Sequence, residues 1–155
     1  MESLRILIVD DEEELVSALV ERLNLRGFQA RGVTTGDAAL ELLETEEVDV
    51  MLLDVKMPGL GGLEVIRRVK DMKPKLEVVL LTGHGSVKSV EEGMALGAYD
   101  YLMKPVKIDS LVRILMSAAG DGEPEGESEG FDSGGDGAGS GNEDSGSTGA
   151  PSPGG

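Results

Sequence analysis

Leu4-Arg5-Ile6-Leu7-Ile8-Val9-Asp10-Asp11-Glu12 is a short, β-branched and nearly all-apolar run that ends abruptly in carboxylates. A run with no polar alternation suits a strand covered on both faces rather than one with a wet side. From Glu12 to Arg26 the pattern changes. Apolar residues recur at Leu15, Leu19 and Leu23, with Val16 and Val20 beside them, and the first turn is acidic. That spacing predicts an amphipathic helix whose N-terminal acids complement its dipole, with Gly27 as its stop. A buried strand followed at once by a one-sided helix is the unit from which parallel sheets are built.

The unit recurs along the chain. Residues 28–33 read as a weaker second strand, and Thr35 can cap a helix with Ala39, Leu40 and Leu43 on its inner side. Residues 48–53 form a third, fully buried strand ending at Asp54. The loop Lys56-Met57-Pro58-Gly59-Leu60-Gly61-Gly62 carries one Pro and three Gly, so its glycines are expected to hold shapes that other residues resist. A helix over 63–72 places Val65, Ile66 and Val69 together, and Pro74 closes it. Residues 76–81 give a fourth strand before Thr82, 86–96 a helix ended by Gly97, 98–103 a short fifth strand before Lys104, and 108–119 a last helix with Leu111, Ile114 and Leu115 inward. Five alternations predict an α/β fold: a five-stranded parallel sheet with right-handed crossovers and five helices on its two faces.

Composition sets the limits of this domain. Residues 1–119 have ordinary globular make-up, whereas residues 120–155 form an acidic, Gly- and Ser-rich tail. From Asp121 onward the tail holds 12 Gly and nine acids, without Lys or Arg and with Phe131 as its only aromatic. So little apolar surface does not offset the entropy of ordering, and the tail is expected to be disordered. Its Gly134-Gly135-Asp136-Gly137 fragment lacks the repetition of a calcium-binding array and reads as acidic linker. The formal charge of −16 divides into −9 for the tail and −7 for the body. Such a chain is poorly suited to neutralising phosphates, which argues against direct nucleic-acid binding. The apolar run 4–9 is too short for a membrane span and lacks the flanks of an export signal, so a cytoplasmic protein without membrane insertion is expected. There is no cysteine, which removes thiolate metal sites.

Five polar residues stand where the strands run out: Asp10, Asp11, Asp54, Thr82 and Lys104. The crevice outside the carboxyl ends of the strands is where open α/β sheets bind ligands. Asp11 and Asp54 lie 43 residues apart and meet only through the fold. Clustered carboxylates with no Cys and one His suit a hard divalent cation, Mg²⁺ (or Mn²⁺), rather than zinc. Capping of the first helix by Asp10 or Asp11 is the alternative. A cation and Lys104 would balance the cluster, leaving Asp54 ionised as a nucleophile toward a phosphoryl group, with Thr82 as a hydrogen-bond donor. Pro105 fixes the backbone behind Lys104.

Four stretches together resemble the receiver domains of two-component response regulators: Ile8-Val9-Asp10-Asp11-Glu12, Leu53-Asp54-Val55-Lys56-Met57-Pro58-Gly59, Leu81-Thr82-Gly83-His84-Gly85 and Tyr99-Asp100-Tyr101-Leu102-Met103-Lys104-Pro105. The resemblance runs over about residues 4–119 in family order. It implies a flavodoxin-like, doubly wound fold and a phosphorelay function, with Asp54 phosphorylated by a histidine kinase or histidine phosphotransfer protein. Asp10 and Asp11 would support Mg²⁺, and the backbone carbonyl of Lys56 would add a ligand. Thr82 and Lys104 match phosphate-contacting switch residues, Tyr101 the switch aromatic, and Lys56 and His84 the positions that tune dephosphorylation. The face around residues 86–119 would bind a downstream effector protein. By this resemblance the chain catalyses its own aspartyl phosphorylation and dephosphorylation without being a conventional turnover enzyme. Two other readings remain: a phosphorylation-independent interaction module, and an aspartyl-phosphate phosphatase. The phosphatase would want Asp-X-Asp at the first strand, where Asp10 and Asp11 are adjacent.

Overall fold

The computed structural model describes residues 3–83 and 86–120, so the expectations for His84 and for the tail beyond Gly120 lie outside the described residues. Ten elements alternate: β1 (Arg5–Val9), α1 (Glu13–Leu25), β2 (Gln29–Val33), α2 (Gly36–Thr45), β3 (Val50–Asp54), α3 (Gly62–Met72), β4 (Glu77–Thr82), α4 (Val87–Ala95), β5 (Asp100–Met103) and α5 (Ile108–Ala118). All five strands are parallel, in the order β2-β1-β3-β4-β5. The order reverses beside β1, so the crevice between the ends of β1 and β3 is the topological switch point.

Strand alternation divides the core in two. Leu7, Val9, Met51, Leu53, Val78 and Leu80 face one way and pack on Ala39, Leu43, Val65, Ile66 and Val69 of α2 and α3. Ile6, Ile8, Val50, Leu52, Val79 and Leu81 face the other way, against Val16, Leu19 and Leu23 of α1 and Leu111 and Leu115 of α5. Burying each such side chain contributes about 1.5–3 kcal/mol. Because β1, β3 and β4 are buried on both faces, their carboxyl ends form a stiff platform for whatever side chains stand there. The outer strands β2 and β5 are more open.

Element boundaries follow local hydrogen bonding. Thr35 is the N-cap of α2, its hydroxyl accepting from Ala38 N at 3.1 Å. Gly27 and Gly97 follow the ends of α1 and α4 at φ +96° and +112°, the left-handed region that favours glycine. β5 starts later than the apolar pattern suggests, because Ala98 N donates to Gly93 O in closing α4. Asp54 and Thr82 belong to their strands rather than following them: Asp54 is in register with Leu81, and Thr82 with Met103.

Candidate functional site

β1 and β3 are adjacent in register, Val9 opposite Leu53, so the residues that follow are delivered side by side. Among the described residues, Asp10, Asp11 and Asp54 bring carboxylate oxygens within 4.8 Å of one another. Asp10 is wholly buried and Asp54 is 4% exposed, whereas Asp11 faces solvent. Asp10 does not cap α1. The N-cap is Glu12, without a side-chain cap bond, and Asp10 Oδ1 accepts from Glu12 N at 2.8 Å in a turn before the helix. The capping alternative therefore fails for Asp10, whose other oxygen, Oδ2, is buried and accepts no hydrogen bond of good geometry.

Lys104 Nζ lies 3.1 Å from that oxygen and 3.4 Å from Glu12 Oε1. The sequence places Lys104 as the neutralising partner of the whole cluster; at rest its ion pairs are with Asp10 and Glu12, not Asp54. Burial works against its charge, but Asp10, Asp54 and Glu12 outweigh that and hold its pKa above the ordinary lysine value. The Lys104-Pro105 peptide is cis. Thr82 is buried and its hydroxyl donates to Gly83 O at 3.2 Å. Tyr101 is 44% exposed on the outer strand. Lys56 N–H points back to Asp54 Oδ1 at 3.4 Å while its side chain is exposed.

Burial, more than repulsion from Asp10 and Asp11, pushes the Asp54 carboxyl up to about 6, against the attraction of Lys104 and the Lys56 N–H. Asp10 is raised as well, chiefly by burial. The folded pKa of Asp54 exceeds its unfolded value, so its favourable contribution is complete below about pH 4, declines as pH rises, and is gone above about pH 6. A shift of this size corresponds to on the order of 2–3 kcal/mol. In metal-free buffer Asp54→Asn is expected to stabilise the protein at pH 7.5 and to lose that advantage at pH 4; denaturant melts at both values check this, and equal effects would contradict it.

Two features escaped the sequence reading. Glu12 was simply the start of an acidic helix turn, although a third acid directly after the paired aspartates was the available signal. In the sequence Gly62 belongs to a loop whose glycines are expected to hold special backbone shapes. It is in fact the first residue of α3, and a Cβ there would lie 2.5 Å from Asp54 O and 2.7 Å from Val55 Cα. Close approach of α3 to the end of β3 requires it.

The fold and the carboxylate cluster at its switch point define a doubly wound, flavodoxin-like α/β domain with an acidic crevice. The family profile of the response regulator receiver domain matches residues 6–116, and the chain belongs to that family of two-component signalling domains. It is 35% identical over 107 residues to sporulation initiation phosphotransferase F of Bacillus subtilis, covering 69% of this chain and 86% of that protein. It is 33% identical over 114 residues to the regulatory protein AtoC of Escherichia coli, covering 74% of this chain but 25% of that protein. The chain thus spans about a quarter of such longer regulators. Among solved structures it resembles a response regulator receiver domain protein from Clostridium thermocellum, with TM-score 0.72, 30% identity and coverage of 76% and 94%. The receiver domain of NtrX from Brucella abortus gives TM-score 0.71, 31% identity and coverage of 74% and 98%.

Receiver domains generally bind Mg²⁺ through acidic residues, and the donors here fit such an ion: clustered hard oxygens, from a residue set in which Asp10 Oδ2 is buried without a well-formed hydrogen bond. No helix among the described residues is long and apolar enough to cross a membrane.

Proposed function

We propose that Asp54 is the phosphoacceptor, loaded by a histidine kinase or histidine phosphotransfer protein. The observation that carries this is the meeting of Asp10, Asp11 and Asp54 at the ends of two central strands, with Lys104 beside them. In this reading Asp10, Asp11, Asp54 and the Lys56 backbone carbonyl hold Mg²⁺ or Mn²⁺. When bound, the cation supplies positive charge against the phosphoryl oxygens. An Asp54 oxygen attacks phosphorus, the P–N bond of the phosphohistidine breaks, and the imidazole leaves with its electron pair. With its pKa near 6, Asp54 is mostly ionised above neutrality even before a cation arrives.

The rest of the site reads as a switch at rest. Thr82 is engaged by Gly83 O, Lys104 by Asp10 and Glu12, and Tyr101 faces outward. A phosphoryl group adds a charge of about −1.5 to −2 and new acceptor oxygens. It draws Thr82 and Lys104 toward Asp54, Tyr101 turns inward, and the face around residues 86–119 changes shape for a downstream effector. Lys56 tunes the return reaction, as would His84. The protein is a phosphorylated switch in the cytoplasm rather than a turnover enzyme.

Thr82→Ala and Lys104→Ala are expected to leave phosphorylation possible but to weaken effector binding, by about 1–3 kcal/mol of coupling. Comparing effector affinity of the phosphorylated and unphosphorylated forms checks this, and unchanged coupling in both variants would contradict it. The proposal as a whole is tested by intact-protein mass spectrometry after incubation with acetyl phosphate, with and without Mg²⁺. A labile adduct that needs both Mg²⁺ and Asp54 supports it. If neither acetyl phosphate nor a phosphorylated histidine kinase gives an adduct, the interaction-module reading replaces it.

A further inference from the structure

Lys104 has two partners at rest, and only Asp10 belongs to the carboxylate cluster. Its ammonium bridges Asp10 Oδ2 at 3.1 Å and Glu12 Oε1 at 3.4 Å, and makes no ion pair with Asp54. Asp10 Oδ1 already accepts from Glu12 N–H and Oδ2 is buried against Lys104, so a divalent cation drawing on Asp10 competes with the ammonium for this carboxylate. An ammonium displaced from Asp10 would be left only partly solvated, its side chain being 22% exposed. Losing its partner there would be costly.

Glu12 is placed to prevent that loss. Its backbone N–H is fixed to Asp10 Oδ1 at 2.8 Å, which holds the residue beside the cluster. Standing at the N-cap of α1, its side chain makes no cap bond and reaches back to Lys104 instead. We infer that Glu12 is a positioning residue acting through Lys104: it draws the ammonium away from Asp54 at rest and receives it when a divalent cation takes Asp10. This rests on the reading of the cluster as a Mg²⁺ site and adds to it. Glu12 is 61% exposed, so its hold is weak. A phosphoryl group on Asp54, with its larger charge, takes the ammonium over.

A double-mutant cycle on the full chain separates this role from simple attraction between Glu12 and the cation. Wild type, Glu12→Gln, Lys104→Met and the double variant are titrated with Mg²⁺, and half-saturation is read from the rise in melting temperature. Glu12→Gln is expected to raise the half-saturating Mg²⁺ concentration about fivefold beside Lys104, and less than about twofold in the Lys104→Met background. Trace acetylation of Lys104, read by peptide mass spectrometry, is expected to rise on Mg²⁺ addition more in Glu12→Gln than in wild type. If wild type responds to Mg²⁺ but Glu12→Gln has the same fold effect in both backgrounds, the inference is overturned and the metal reading stands. If wild type gains no stability from Mg²⁺, the metal reading falls and takes the inference with it.

Discussion

Asp54→Ala is expected to reduce phosphoryl uptake to background, a loss of about 10³-fold or more, because the substitution removes the oxygen proposed to attack phosphorus. The neighbouring carboxylates are not expected to substitute for it. Asp10 is committed to Glu12 N–H and Lys104, and Asp11 is open to solvent. Asp54→Asn is the informative companion, since it keeps the shape of the side chain and relieves the buried charge. It is expected to lose uptake as completely while melting higher than wild type in metal-free buffer at neutral pH. Loss of uptake with gain of stability excludes unfolding as the cause. Asp10→Asn should differ in kind: Asp54 remains, so uptake persists but requires more Mg²⁺. Phosphorylation rates from acetyl phosphate, measured against Mg²⁺ concentration, distinguish the two patterns.

Gly62→Ala is expected to be the most damaging single methyl group that can be added near the site. The three atoms nearest the new Cβ would all be backbone: Asp54 O at 2.5 Å, Val55 Cα at 2.7 Å and Val55 O at 3.0 Å. No rotamer relieves such a contact, so α3 must move off β3 or the end of β3 must bend. Overpacking of this kind costs about 1–3 kcal/mol, and rigid backbone neighbours place it at the upper end. The better helix propensity of Ala returns at most about 1 kcal/mol. A net loss of about 2 kcal/mol lowers the melting temperature by about 10 °C for a domain of this size. The displacement falls on the Asp54 carbonyl, so the phosphorylation rate of the folded fraction should drop as well. Gly61→Ala is the matched control. Its Cβ would have one neighbour, Met57 O at 3.9 Å, and its φ of −72° suits any residue. Thermal melts of both variants check the contrast, and equal destabilisation would contradict it.

The order of strands and helices was legible because each of the three inner strands is a nearly solid apolar run and the helices other than α4 show an apolar stripe; α4 buries only Gly93 and was legible from its bounding glycines. Asp10, Asp11, Asp54, Thr82 and Lys104 were legible for a related reason. A parallel sheet sends all its strand ends to one edge, so a polar residue closing an apolar run has a known address. What spacing did not reveal was which partner each side chain takes there. Lys104 could reach Asp54, Asp10 or Glu12, and the choice rests on how one long, flexible side chain extends. Burial contributes more than like charge to the raised Asp54 pKa, because β3 is covered on both faces up to its last residue. The late start of β5 was hidden for another reason: Ala98 is apolar but is consumed in closing α4.

Trapping the acyl phosphate chemically locates the phosphoryl group, proposed here to reside on Asp54. After incubation with acetyl phosphate and Mg²⁺, the acyl phosphate is reduced with borohydride, which converts the phosphorylated aspartate to homoserine, and tryptic peptides are sequenced by mass spectrometry. Cleavage after Arg5, Arg22, Arg31 and Lys56 places Asp10 and Asp11 on one peptide and Asp54 on another. Homoserine is expected at position 54 alone, and only when Mg²⁺ was present. Homoserine at position 10 or 11, or a phosphoryl adduct that leaves position 54 unchanged, would contradict that proposal.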